Sequence, residues 1–208
     1  MAFRFDLPPR IALFPLAEAV MLPRAKLPLH VFEPRYLQML EDTLKTDHRL
    51  IGMIQPVDDG LAAIGCAGRL IAFSESDDGR MMITLRAVSR FRLTGIEDGF
   101  APYQQAQVDW TEFARDLGGP ESDPGLSRPA FLDMLCRYAE LRQLSTDLKE
   151  AGKAADEILI NAFSMLLPFS PGEKQALLET PTLTERRELL EGLIEYALCC
   201  GENDEPLQ

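Results

Sequence analysis

The chain has 208 residues, 46% hydrophobic and 26% charged, with a formal net charge of −12. That length suits one large domain or two small ones at roughly 100–150 residues each, and the composition excludes wholesale disorder. No run approaches the ~18–20 apolar residues of a membrane span. The opening MAFRFDLPPRIALFPL puts charge and prolines where a signal peptide needs an unbroken apolar core, so a soluble, cytoplasmic protein is expected.

The first half reads as strands. RIALFPL and AKLPLHVF are short apolar runs broken by prolines, and RLIGMIQP, GCAGRLIAFSE, RMMITLRAVSRFRLTGIE and YQQAQVDW follow. Asp78-Gly79 supplies a tight-turn signal between two of them. From Ala87 to Leu93, Ala87, Ser89, Phe91 and Leu93 alternate with Val88, Arg90 and Arg92, which predicts one face in and one out. Short strands at this spacing suggest a small closed or nearly closed barrel. One helix interrupts them. Pro34 fits its first position, and Tyr36, Met39, Leu40 and Leu44 recur at helical spacing before KTDHR ends it.

The pattern dissolves in FARDLGGPESDPGLSR, where the charge balance also changes. Residues 1–115 carry 13 Lys and Arg against 15 Asp and Glu, a net of −2; residues 116–208 carry 8 against 18, a net of −10. A chain of this balance repels nucleic acid and anionic membranes as a whole. The domain division expected is 1–114, a linker at 115–127, a helical part at 128–200 and an acidic tail at 201–208.

The second half reads as four helices. The first runs from about Pro129 to Lys149 with Phe131, Leu135, Tyr138, Leu141 and Leu148 on its stripe, and Gly152 breaks it. The second carries Ile158, Leu159, Ala162, Phe163 and Leu166. Ser170-Pro171 with Glu173, and Thr182 with Glu185, form capping boxes that open the third and fourth. The stripe of the last is Leu189, Leu190, Leu193, Ile194, Ala197 and Leu198.

Catalytic signals are sparse. The chain has no phosphate loop, dinucleotide fingerprint or nucleophile elbow. Cys66, Cys136, Cys199 and Cys200 form no C-x-x-C and lie far in sequence from His30 and His48, so buried, reduced thiols are expected and a metal site is not. His30, within a strand, reads as structural. His48, at a polar helix end, reads as a cation on the helix dipole. A hydrolase would have to rest on His30 and Glu33. Arg86, Arg90 and Arg92 are expected on one strand face, either an anion or RNA site or, as the net charge favours, a solvated face balanced by acids.

ALFPLAEAVMLPRAKLPLHVFEPRYLQML resembles the opening of the LON N-terminal domain, the substrate-recognition module of Lon ATP-dependent proteases. Phe14, Pro15, Pro28, Phe32, Glu33, Pro34, Arg35 and Tyr36 carry the match, together with Leu13, Leu16, Leu22, Pro23 and Leu29. IGCAGRLIAF, DDGRMMITLRAVSRFRL with Gly79 and Arg80, and LLPFSPGEKQALLETPTLTERRELLEGLI are similar to later parts of that domain, so the likeness covers about residues 10–200. It implies an α+β fold: a PUA-like β-barrel with one inserted helix, then a bundle of about four helices. It also implies a stand-alone, non-catalytic module without cofactors, lacking the ATPase and serine–lysine protease domains. Such a module binds exposed apolar or unfolded polypeptide clients or a partner protein; no membrane is expected as a partner, and the net charge disfavours nucleic acid. The alternative is an RNA-associated PUA-like protein using Arg86, Arg90 and Arg92. In the corner itself, Glu33 is expected at the helix N-terminus, Leu29, Val31 and Phe32 are expected to bury, and Arg35 to anchor the strand–helix junction through a carboxylate or carbonyls.

Overall fold

A computed structural model of the chain describes residues 7–77, 79–97, 99–144 and 152–201. It is a mixed fold, rich in sheet in its N-terminal half and helical in its C-terminal half. By internal contacts the chain divides into two compact units. One runs up to Gly119 and includes Pro168–Leu178; the other is Pro120–Leu167 and the chain from Glu179 onward. Where the sequence places a linker at 115–127, the first unit continues through a 3-10 segment, Thr111–Leu117, whose Phe113 and Asp116 are buried.

The first unit holds strands β1 (Arg10–Pro15), β2 (Lys26–Val31), β3 (Leu50–Ile54), β4 (Pro56–Val57), β5 (Gly60–Leu61), β6 (Ile64–Glu75), β7 (Met81–Glu97) and β8 (Gln105–Asp109). The main sheet runs β2-β7-β6-β3-β1-β8, and β8 pairs also with β7, so the ladder from β7 to β8 returns on itself. β1 and β3 are parallel; every other pairing in that sheet is antiparallel. Ile11, Leu13, Leu50, Ile54, Val88, Phe91 and Val108 form the core inside this ladder. Phe91 fills it so closely that a Cβ on Gly65 would stand 2.5 Å from both the Phe91 ring and the Met53 carbonyl oxygen. The β6–β7 turn has the expected glycine, Gly79 at φ 77°, a left-handed conformation that side chains resist; its partner Asp78 lies outside the described residues.

The alternation expected from Ala87 to Leu93 fails at one position. Ala67 pairs with Ser89 and Gly68 with Ala87, which leaves Val88 as an extra residue on β7. A bulge of this kind exchanges the two faces beyond it. Ala87, Val88, Ser89, Arg90 and Phe91 are all buried, because the core covers one face and the 3-10 segment packs against the strand.

Helix α1 (Pro34–Leu44) has Pro34 in its first turn and buries Tyr36, Met39, Leu40 and Thr43, with Leu44 half-buried. The others are α2 (Arg128–Leu141), α3 (Asp156–Leu166), α4 (Pro171–Glu179) and α5 (Leu183–Gly201). The second unit contains α2, α3 and α5 among the described residues, whereas α4 up to Leu178 falls in the first unit. α2 ends earlier than its apolar spacing suggests, and Leu148 lies outside the described residues. On α3, Leu159, Ile160 and Phe163 are buried, while Ile158 (56%) and Leu166 (73%) face solvent. The buried stripe therefore keeps Leu159 and Phe163 of the sequence reading and takes Ile160 where that reading had Ile158 and Leu166.

Both capping boxes form. The Ser170 hydroxyl accepts from the Glu173 N–H while the Glu173 carboxylate accepts from the Ser170 N–H, and Thr182 and Glu185 repeat the arrangement. On α5, Leu183, Leu190, Ile194 and Leu198 bury, joined by Arg186 and Arg187. Arg187 pairs with Asp123 and Glu191, and Arg186 donates to Asn161 at 2.9 Å. Burial would raise the Asp123 carboxyl, but hydrogen bonds from Arg187, Gly125 and Thr184 outweigh it and hold it below the ordinary carboxylate range. Cys66 is buried, but Cys136, Cys199 and Cys200 are exposed, against the expectation of buried thiols. Their side chains fall outside the stripes that face the core.

Candidate functional site

The strand–helix corner that carries the sequence motif builds a three-layer stack. Phe14, on β1, is buried, and its ring centroid lies 4.5 Å from that of Tyr36. The Arg35 guanidinium sits 4.6 Å above the Tyr36 ring, a separation at which a cation is attracted to the ring face. Glu33 occupies the N-cap position with extended backbone, but its side chain makes no capping bond. Its carboxylate instead accepts from Arg35 Nε at 2.9 Å and pairs with Nη2 at 2.7 Å. Arg35 therefore finds a carboxylate, and it is the one expected to serve the helix N–H groups. The reason is reach: a guanidinium two residues on offers two charge-assisted donors against weak helix-end donors. Burial pushes the Tyr36 hydroxyl up, Arg35 pulls it down and Glu33 pushes it up again, leaving it above its usual value.

Phe32 does not bury; it is 62% exposed. β2 ends at Val31, which takes the inward side, and the residues on either side of it, His30 and Phe32, are exposed. His30 and Glu33 share no hydrogen bond among the described residues, and the Glu33 carboxylate is engaged by Arg35, so the pair carries no hydrolytic geometry.

Beside the stack lies an open cavity of about 530 Å³, lined by the motif residues Pro15, Arg35 and Tyr36 and by Ile96, Pro102 and Tyr103. Ile96 is 49% exposed, and Phe100, nearby in the chain, is fully exposed. The Tyr103 hydroxyl donates to Asp42 at 3.1 Å, which fixes that wall. Glu97, also lining the cavity, is held by Arg10 at 3.2 Å and by Gln107. The cavity thus offers apolar and aromatic walls, a guanidinium and one tethered carboxylate, that of Glu97. It can take up an apolar side chain and hydrogen-bond the polar groups beside it. Sequence reading missed Ile96, Pro102 and Tyr103; the run GFAP, with glycine, phenylalanine and proline outside any strand period, was the available signal.

The remaining candidates are dispersed. Pro28 lies exposed on β2, and Gly79 and Arg80 sit in the β6–β7 turn. Arg86, Arg90 and Arg92 do not share a face, because the Val88 bulge separates Arg86 from the other two. Arg90 is buried. It grips Asp116 through Nε at 3.0 Å and Nη2 at 2.9 Å, donates its own N–H to the same carboxylate, reaches the Leu178 carbonyl and lies 4.7 Å over Phe113. Arg92 pairs with Glu112. His48 is not a cation on the helix dipole. Its Nδ1 accepts the Leu50 N–H at 3.0 Å, and burial, with Arg69 nearby, lowers its pKa against the opposing pull of Asp47. Among the described residues no group of three His, Cys, Asp or Glu could hold a metal ion, and no helix is long and apolar enough to cross a membrane.

The second unit has its own cavity of about 600 Å³ between α2 and α5. Its charged lining includes Arg187 and Glu191, from the family-like stretch of the last helix, tied to each other and, through Arg187, to Asp123; none of the motif residues from Leu13 to Tyr36 lines it.

Compared with known proteins, residues 10–195 match the family described as the ATP-dependent protease La (LON) substrate-binding domain. The Lon protease of Haemophilus influenzae is 25% identical over 87% of this chain, and that of Xanthomonas oryzae pv. oryzae is 25% identical over 91%. The chain spans about a quarter of the length of these relatives, 23% of each. Among solved structures, a Lon N-terminal domain protein from Xanthomonas campestris is similar at TM-score 0.63 and 27% identity, covering 90% of this chain and 98% of that one. The N-terminal domain of the Lon protease of the Mycobacterium avium complex matches in fold at TM-score 0.68 and 13% identity, covering 89% and 98%.

Proposed function

From the premise that this chain belongs to the family of Lon substrate-binding domains, we propose that it is a non-catalytic module that binds exposed apolar segments of unfolded polypeptide in the cavity beside the Arg35–Tyr36–Phe14 stack. The observation that carries this reading is that family-marking residues and exposed apolar residues meet in one place. Pro15, Arg35 and Tyr36 line the same open cavity as Ile96. The half-exposed Ile96 leaves apolar area in water, which a bound side chain would cover at about 25 cal/mol per Å². The fixed guanidinium would orient the segment through its carbonyls. In this reading the returning strand ladder is the family's PUA-like barrel, and α2, α3 and α5 are its helical part.

The test is binding of a labelled apolar-rich peptide, with suppression of aggregation of an unfolded model protein alongside. Arg35→Ala and Ile96→Ser are expected to weaken both. The side chains of Arg35 and Glu33 are 54% and 43% exposed, and such surface pairs contribute about 0–1 kcal/mol, so the melting temperature of Arg35→Ala should stay close to that of the wild type. A large drop in melting temperature with binding retained would make Arg35 an architectural residue. Absence of binding to every member of an apolar peptide library would remove the reading altogether.

A further inference from the structure

The solvent face of the β2–β7–β6 segment carries a feature the cavity does not use. Lys26 pairs in register with Arg86, and Arg86 pairs with Arg69. Residues paired in register on neighbouring strands stand side by side on one face, and strands lie about 4.8 Å apart, so three cations fall in a row within about 10 Å. Like charges set directly opposite one another are destabilising. Among the described residues none of the three has an ion pair or hydrogen bond from its side chain, so nothing described of this chain neutralises the row. Lys26 and Arg86 are exposed and Arg69 is half-buried. This occurs in a protein with 33 acidic against 21 basic side chains.

The same face continues toward the β6–β7 turn. Pro28, Thr84 and Ala72 form the next row, and His30, Met82 and Ser74 the one after. Met82 is 46% exposed. A cationic row therefore stands next to a weakly apolar shelf on one sheet surface.

We propose that this face is a second contact surface for polypeptide, and that the segment it takes is acidic, with carboxylates on the Lys26–Arg86–Arg69 row and apolar side chains over Pro28 and Met82. The inference rests on the reading of the chain as a polypeptide-binding module and adds the charge class of what it binds. Charge complementarity sets the occupant: three unneutralised cations need anions, and the neighbouring shelf needs apolar groups. An acidic peptide supplies both. A nucleic acid supplies a denser and continuous charge, but the row is only three cations long, and the shelf beside it carries a single imidazole, His30, and no Phe, Tyr or Trp on which successive bases could stack.

The experiment measures anisotropy of a labelled peptide alternating glutamate with leucine, its lysine counterpart, an uncharged apolar peptide and a single-stranded RNA of equal length. Each is titrated with the wild type and with the triple variant Lys26→Gln, Arg69→Gln, Arg86→Gln. The acidic peptide is expected to bind the wild type, to weaken as salt rises, and to lose about tenfold or more in affinity in the triple variant. The apolar peptide should bind both proteins alike. A charge-reversed protein, Arg86→Glu, should turn the preference toward the lysine peptide. Equal binding of the acidic peptide to wild type and triple variant overturns the proposal, as does tighter, row-dependent binding of the RNA. Loss of apolar-peptide binding in Ile96→Ser, with acidic-peptide binding kept, separates the cavity from this face. An apolar peptide that binds neither protein, while the acidic one still binds through the row, overturns the cavity reading alone.

Discussion

Arg90 and Arg35 each precede an aromatic residue, Phe91 and Tyr36, and do opposite things. Arg90 and Asp116 are buried, with side chains 4% and 2% exposed, and the carboxylate takes three donors from the one arginine residue. Removing one partner of such a pair strands a charge in a poorly solvated site, at a cost of about 3–5 kcal/mol. Asp116→Ala is expected to lower urea-unfolding stability by that order. Arg90→Met combined with Asp116→Leu should lose distinctly less, because no charge is then stranded; a double variant as unstable as the single one would contradict this account. Arg35 stays in water, where its pair contributes little to folding, and its position on the cavity wall gives it another use.

His48 supplies the residue-scale dependence on pH. Its folded-state pKa lies below that of the unfolded chain, mainly through burial. The unfolded chain therefore binds more protons in the window just below pH ~6.5, and stability must fall as pH falls through that window. It is fully present above it. Melting temperature is expected to drop between about pH 7 and 5 in the wild type and to drop less in His48→Asn. The carboxyl of Asp123 is held low, so its contribution is lost only in more acid solution, below about pH 4, outside this window.

At the scale of elements, the two capping boxes were readable because their mechanism is local: a hydroxyl and a carboxylate three residues apart satisfy each other's end of the helix. Thr182→Ala should cost about 1 kcal/mol, read as a shift in the urea midpoint, and Thr182→Ser should cost much less. Strand faces were less readable. Period-two alternation assigns Arg86, Arg90 and Arg92 to one side, and a single extra residue, Val88, undoes it. The bulge is fixed by how β6 and β7 pair across the core, which no window of sequence along β7 contains. The cationic row has a consequence here as well. Arg86→Gln is expected to raise thermal stability slightly, by about 0.2–1 kcal/mol, because it relieves like-charge contact on both sides; a fall in stability would mean that the row has a neutralising partner.

At the scale of the whole molecule, the first unit is not a continuous stretch of chain. Its strands end before Gly119, but Pro168–Leu178 also belongs to it. That returning segment supplies the Leu178 carbonyl to Arg90 and the Gln175 side chain to the Ile64 carbonyl at 2.9 Å. A fragment ending at Gly119 lacks both partners, so it should melt below the intact chain and expose apolar dye-binding surface; a fragment as stable as the intact chain would show that these contacts contribute nothing.

The sequence by itself determined what depends on near neighbours. Pro34 starts a helix, Gly79 turns a hairpin, the capping boxes open α4 and α5, and the motif from Leu13 to Tyr36 marks the family. The first three follow from backbone geometry or hydrogen bonds closed within a few residues. Only the tertiary structure decided which polar groups face water. Arg90 looked like a surface cation and became the buried partner of Asp116, 26 positions away. Phe32 looked like core and is exposed, and the cavity of Pro15, Arg35 and Ile96 joins residues from three separate stretches. Burial depends on what packs against a side chain from elsewhere in the chain, and that is a property of the fold and not of the residue's neighbours in sequence.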